Sequence, residues 1–522
     1  MTAHHRLTAL MAVIAFALVA VAGVALRPLI PIDETRYIDV AWEMRLEHHW
    51  LLPIKNYGLY TDKPPLLFWL INLVWSVTGV QGFSARLVGP AFGLLAVIGT
   101  GLLGRRLWDG RTGLAAATIL AGTSVFAIYG GLTMFDTMLA CATLGGIAAL
   151  WRALRAPGLH LWAWLGYGLA LAFGVYAKGP AILLHLVPAL VSWPLWAPVE
   201  RPSAREVLKG AGLAVGFALV LVALWVVPAA IAGGAEYREM ILWKQTAGRA
   251  VNSFAHARPL WWYVALLPVV LFPWVWSGAL WRGLRALQPG DRALRLCLIW
   301  GLSGLALFSL VSGKQVHYLI PALPAFALVF GRALSGVEPR GRNWVAAGLT
   351  VVIAFALAAA SFGAAGAKAA AQLQPWPWVA LVAAALVALA GVSLRLRPLG
   401  GLLLLGLGVV MALNFVIGLT ALGRDYDSGV IARRIGPVQD KGIAVVAENY
   451  HEEFDFEGRI IPAIQLPAAA EAPAWIAAHP GGVLLSECRD APLPVDQAER
   501  IAFNGTDWCL WWAPESAPPA LN

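Results

Sequence analysis

The sequence predicts a mainly α-helical fold: a polytopic transmembrane bundle of about 13 spans, with long loop helices on its outer face and a small C-terminal α/β domain. Three observations predict it. First, 59% of the 522 residues are hydrophobic and only 13% are charged, whereas soluble domains carry about 25% charged residues. Second, apolar runs recur along most of the chain, and most cations punctuate them. Third, the pattern reverses after about Arg424, where 7 basic residues face 15 acids. The composition excludes a disordered chain, a nucleic-acid binder and an ordinary cytosolic enzyme. The net charge of +9 does not point to a polyanionic partner, because the cations sit at the ends of apolar runs.

A helix needs ~20 apolar residues to cross ~30 Å of hydrocarbon. Runs of that kind centre near Ala17, Leu95, Leu120, Ile147, Leu169, Val187, Leu219, Val270, Leu305, Ala327, Phe355, Ala385 and Val410. The first run contains Ala20-Val21-Ala22, a sequence of the signal-processing type. It continues past that point to Ile30, which favours a retained span. Alternate loops hold 18 basic residues, among them Arg105, Arg106, Arg111, Arg282, Arg285, Arg395 and Arg397, against 5 acids. The positive-inside rule puts those loops and the N-terminus in the cytoplasm. Residues 1–423 read as the membrane domain and 424–522 as a water-facing module on the outer side.

Two outer segments exceed simple turns, about 31–84 and 233–259. In the first, Arg36 to Trp50 reads as an amphipathic helix with Tyr37, Val40, Ala41, Met44 and Glu47 at helical spacing. Pro64-Pro65 breaks the chain, and Leu66 to Val80 reads as an interfacial stretch too short to span. In the tail, β-like runs at Ile443–Ala447, Gly482–Ser486 and Cys509–Trp512 alternate with a helix-like Ala468–Ala478. Cys488 and Cys509 lie there and can pair in an oxidising compartment, whereas Cys141 and Cys297 sit in apolar helices.

Ionisable groups are rare in the middle of these helices, where a proton- or ion-coupled transporter places them. They gather instead on the outer face. Asp33-Glu34 follows the first span, where a carboxylate can take a proton from an attacking hydroxyl or cap the next helix. In Asp62-Lys63-Pro64-Pro65 the prolines hold Lys63 extended, so its ammonium offers a phosphate site or an exposed ion pair. Asp136 and Lys178 are lone charges at outer helix ends; capping and snorkelling are their structural alternatives. Lys314, His317 and Tyr318 share a short outer turn, and His256 and Arg258 precede Pro259. Asp425-Tyr426-Asp427 has the form of a sugar-nucleotide metal motif but reads as a loop or cap, and Asn504-Gly505-Thr506 has the form of a glycosylation acceptor. Carboxylates to activate or coordinate, with cations to hold a phosphate leaving group, are what transfer from a polyprenyl-phosphate donor requires. Oxygen and His ligands for an assisting divalent ion would come from Asp62, Asp136 and His256.

The ordered set Asp33-Glu34-x-Arg36-Tyr37, Asp62-Lys63-Pro64-Pro65-Leu66, Phe135-Asp136-Thr137, Ala177-Lys178-Gly179-Pro180, His256-Ala257-Arg258-Pro259 and Lys314-x-x-His317-Tyr318-x-x-Pro321 resembles the C-type membrane glycosyltransferases. The nearest likeness is to the bacterial 4-amino-4-deoxy-L-arabinose (lipid A) transferase and protein O-mannosyltransferase-related group, over about Pro31 to Pro324. The resemblance implies a polyprenyl-phosphate sugar donor, an outward site, inversion at the anomeric carbon, and lipid A or another envelope glycan as acceptor. It implies Asp33 as the key acid, with Glu34 beside it and Asp136 as a second acidic site residue. Lys63 and Lys178 would hold the donor phosphate, assisted by Arg249, Arg258, Lys314, His317 or Tyr318. In the arabinose branch a Glu-Lys-Pro-Pro motif and a later His hold a metal ion. Here Asp62 and His256 match those positions, for Zn, Mg or Mn, with Asp62 one methylene shorter. A non-enzymatic lipid-carrier transporter is the competing class, and it predicts polar groups at mid-membrane.

Overall fold

The computed structural model describes residues 3–198, 200–240, 257–336, 342–448 and 450–514. Helix α1 (Ala3–Leu26) leads into α2 (Asp33–Leu46), a short hairpin of β1 (Ile54–Lys55) and β2 (Gly58–Leu59), and α3 (Leu66–Thr78). A single turn, α4 (Gly82–Arg86), precedes α5 (Val88–Leu107) and α6 (Gly110–Gly122). After α7 (Ser124–Tyr129) come α8 (Asp136–Leu154) and α9 (Leu161–Lys178). Further helices follow to Pro398–Leu419.

All 13 predicted centres fall inside helices, but among the described residues only 8 helices are long and apolar enough to cross a membrane. Eight of the 13 expected spans meet that test as single helices. The shortfall has local causes. The chain breaks at Thr123 after α6, where Ser124 N donates to Phe272 O. The run at Val270 ends in a helix of 9 residues, because Pro268 and Pro273 withhold backbone donors.

The predicted amphipathic loop helix is α2, beginning at Asp33 rather than Arg36. It is more buried than an interfacial helix: Tyr37, Ile38, Val40, Ala41 and Met44 are at most 2% exposed, against Leu67, Phe68 and Ile71 of α3. The tail carries a four-stranded sheet, ordered β3 (Ile443–Val445), β4 (Val483–Glu487), β6 (Thr506–Trp512) and β5 (Glu499–Phe503). β3 and β4 run parallel and the other pairs antiparallel. Strand β5 escaped sequence reading because charged residues interrupt it. Its two-residue turn to β6, Asn504-Gly505, has φ of 53° and 78°, the conformation that makes Asn-Gly a hairpin turn. Cys488 and Cys509 are bonded to each other.

Candidate active site

Two acid–cation pairs stand at the ends of neighbouring helices, on the side where the tail packs. Asp33 opens α2, yet it does not cap it: Ile32 occupies the N-cap position and no side chain bonds there. Asp33 Oδ1 instead lies 2.7 Å from Arg36 Nη2 and receives a hydrogen bond from Tyr37. Lys63 Nζ lies 5.9 Å from the Tyr37 ring centroid. Burial raises the Asp33 carboxyl, but the Tyr37 hydroxyl and the charges of Arg36 and Lys63 outweigh it. The group is held below the ordinary carboxylate range.

Asp136 opens α8 in the same way, again without capping it. It is 1% exposed, and its Oδ1 lies 2.6 Å from Lys178 Nζ. Lys178 ends α9, where a cation also suits the helix dipole. Gly179 follows with φ +65°, a conformation that a side chain would strain, and this turn sends the chain directly back into the helix Ala181–Val191.

One aromatic turn joins the pairs. Lys178 Nζ sits 4.8 Å from the Tyr318 ring centroid. His317 meets Tyr318 edge-on at 4.8 Å and Tyr129 at 5.7 Å. His317 also interacts electrostatically with Asp136, Lys178, Asp33 and Lys63. Tyr37 packs edge-on against Phe135 at 4.9 Å, next to Asp136. Six predicted residues therefore converge: Asp33, Lys63, Asp136, Lys178, His317 and Tyr318.

The other predictions are placed differently. Glu34 is 1% exposed. It accepts from Thr133 N at 2.9 Å and Thr133 Oγ1 at 3.0 Å, and it pairs with Arg86 at 3.4 Å. Arg86 in turn donates to the carbonyls of Val24, Arg27 and Pro28. Glu34 thus ties the end of α1 to α2, α4 and the segment before α8. Lys314 is buried, and its ammonium donates to Arg258 O at 2.9 Å and Val311 O at 2.6 Å. It staples the bridge between Ala257 and Gly313. The Arg258 side chain is exposed. Arg249 and His256 lie outside the described residues. Asp62 interacts with His451 of the tail. Among the described residues no three His, Cys, Asp or Glu side chains assemble to hold a metal ion, so Asp62 does not find there the ligand set that the expected divalent ion needs. Asp427 caps Gly429 N at 2.9 Å and pairs with Arg433 at 3.4 Å, which makes the Asp-x-Asp sequence a helix-start device.

Sequence reading gave Arg36 and Tyr37 a place in a motif and a helix but no part in the site, and it singled out neither Tyr129 nor Arg86. Arg86 carried a usable signal, as the one charged residue between Lys63 and Arg105. Tyr129 carried none, because an aromatic residue in an apolar run reads as core.

The chain is similar to known proteins in sequence and in fold. Residues 62–225 match the family described as dolichyl-phosphate-mannose-protein mannosyltransferase. An undecaprenyl phosphate-α-4-amino-4-deoxy-L-arabinose arabinosyl transferase of Pseudomonas aeruginosa is 34% identical over 335 residues, 61% of this chain and 59% of the relative. A Pseudomonas fluorescens arabinosyl transferase of the same description is 30% identical over 329 residues, 62% of this chain and 57% of the relative. The chain thus spans less than two thirds of the length of these curated relatives. The crystal structure of ArnT from Cupriavidus metallidurans bound to undecaprenyl phosphate superposes with a TM-score of 0.77 at 19% identity, over 98% of this chain and 99% of that one. The chain shares the fold of that structure. The likeness read from the motifs is thus matched in sequence over 335 residues of the chain and in fold over 98% of it.

Proposed function

We propose that this chain is an inverting glycosyltransferase that moves a sugar from a polyprenyl phosphate to an outer-face acceptor, of the 4-amino-4-deoxy-L-arabinose transferase type. The convergence of Asp33, Lys63, Asp136, Lys178 and His317 at one end of the bundle carries the reading. In the reaction an acceptor oxygen attacks the anomeric carbon from the face opposite the donor phosphate. The bond between that carbon and the phosphate oxygen breaks, and its electron pair leaves with the polyprenyl phosphate. Lys63 and Lys178 stabilise the charge that develops there, the kind of fixed electrostatic assistance that is strongest in a dry site. Asp136 positions Lys178 through their 2.6 Å contact, and Glu34 positions Asp33 by bracing the start of α2.

The depressed Asp33 carboxyl bears on the acceptor. A general base works best with a pKa near the operating pH, and Asp33 lies below even the ordinary carboxylate range. That favours an acceptor that is already an anion, the phosphate of lipid A, with Asp33 orienting the donor sugar and its amine. The match to the mannosyltransferase family over residues 62–225 favours a hydroxyl acceptor, as in a protein O-mannosyltransferase or an enzyme of another envelope glycan. Purified chain given the undecaprenyl-phosphate aminoarabinose donor and either intact or dephosphorylated lipid A separates the two. Transfer to intact lipid A alone is expected, and equal transfer to both would favour the hydroxyl acceptor.

The proposed setting is a bacterial inner membrane, N-terminus in the cytoplasm and tail in the periplasm. The excess of arginine in alternate loops and the Cys488–Cys509 disulfide in the tail support it.

A further inference from the structure

A cavity of about 820 Å³ opens between α1, α6 and the helices Trp376–Ser393 and Pro398–Leu419. Its wall is apolar, with Val19, Leu403, Leu407 and Met411 among the lining residues, and Met11 at its edge is 57% exposed. Its mouth carries Arg111, Arg395 and Arg397. All three side chains are exposed, no carboxylate lines the cavity, and among the described residues no hydrogen bond or ion pair engages these guanidinium groups.

The mouth lies at the end of the bundle away from the Asp33 cluster. Helix α5 starts two residues after Arg86, the partner of Glu34, and runs 20 residues before the chain turns towards Arg111, roughly 30 Å of helix. We infer that this cavity is a binding site for an anionic phospholipid of the bilayer, its acyl chains against the apolar wall and its phosphate between Arg111, Arg395 and Arg397. Basic pockets between transmembrane helices on the cytoplasmic side take anionic headgroups in this way, and in the orientation proposed above this is the cytoplasmic face. The volume lies in the ordinary range for ligand pockets of about 300–1,000 Å³. Charge complementarity selects the occupant: three unopposed cations beside an apolar wall fit a headgroup of net negative charge better than a zwitterionic one, whose ammonium they repel. The polyprenyl donor is a poor fit, because its phosphate has to reach the Asp33 cluster.

Native mass spectrometry of the purified full chain tests this in micelles containing equal dioleoyl phosphatidylglycerol and dioleoyl phosphatidylcholine, which share their chains. The wild type should retain phosphatidylglycerol preferentially. Arg111→Gln, Arg395→Gln and Arg397→Gln should each reduce that preference about fivefold, and the triple variant should abolish it. Leu404→Trp, which fills the wall, should reduce retention of both lipids while leaving the headgroup preference of what remains. Equal retention of the two lipids by wild type would overturn the inference, as would a preference that survives the triple variant. Displacement of phosphatidylglycerol by one equivalent of undecaprenyl phosphate would also overturn it and assign the cavity to the donor.

Discussion

At the scale of single residues, Asp33 and Glu34 are adjacent and chemically similar, yet their surroundings separate them. Asp33 keeps a side chain that is 39% exposed and is tuned by Tyr37, Arg36 and Lys63. Glu34 is sealed, and its oxygens are taken by Thr133, Ile30 and Arg86. Despite burial, Arg86 and Arg27 hold the Glu34 carboxyl below its ordinary value. Stability from it is therefore present above the ordinary glutamate range and is lost as pH falls through the lowered native value. Removing one partner of a buried pair costs about 3–5 kcal/mol. Glu34→Gln should thus lower thermal stability by an amount near the bottom of that range, because glutamine keeps some hydrogen bonds. Asp33→Asn should cost much less, because the Asp33 side chain is 39% exposed and its ion pair is screened by water. Thermal unfolding of the two variants in one detergent checks the contrast, and equal losses would mean that Asp33 is also a structural group.

Among the elements, the short hairpin is the joint between the membrane domain and the tail. Its turn residues Asn56 and Tyr57 both have positive φ and donate their backbone N–H groups to Glu43 of α2 at 2.8 and 3.0 Å. Asn56 also exchanges two 2.9 Å hydrogen bonds with Ile464 of the tail. Beside this joint lies a set of buried acids: Asp39 and Glu43 of α2, with Glu452, Glu453 and Asp455 of the tail. Lys55 faces them, its Nζ 3.1 Å from Glu452, and Tyr450 donates to Asp455 at 2.5 Å. Burial pushes Asp455 up to about 7 and Glu452 to about 9, the latter despite Lys55, and Asp39 is raised well above its ordinary value. A raised acid holds its proton longer in the native state than in the unfolded one. Stability from these groups is full below the ordinary carboxylate range and declines as pH rises from there to about 9. The tail should therefore dock less firmly as pH rises from 6 to 9. Limited proteolysis of the tail across that range reads the effect. Asp455→Asn should flatten the slope, and unchanged cleavage at all pH values would refute the assignment.

How much the sequence disclosed also varies by element. The six clustered site residues were legible because each is a polar group stranded at the end of an apolar run. The partners that tune them were not: Tyr37 and Tyr129 look like core residues until three-dimensional packing sets them beside Asp33 and His317. The acid cluster was hidden because its members come from α2 and the tail, about 400 residues apart in sequence, and each alone reads as a solvated charge.

For the whole molecule, composition disclosed the class at once, since few architectures bury 59% hydrophobic residues. It disclosed the helix positions better than their lengths, because prolines and glycines shorten helices without changing the hydropathy around them. The bundle sets the charges of the Asp33 cluster at the end of the molecule that faces the tail, which bonds to the hairpin at Lys55 and Asn56 and brings His451 near Asp33 and Arg36. The reaction proposed for this cluster is transfer of a sugar to an envelope lipid. Mass spectrometry of lipid A and other envelope glycolipids, from cells carrying the wild type or Asp33→Asn, tests it most directly. An increment of one sugar is expected with the wild type and not with Asp33→Asn at equal protein level. The same increment with both proteins would contradict the proposal.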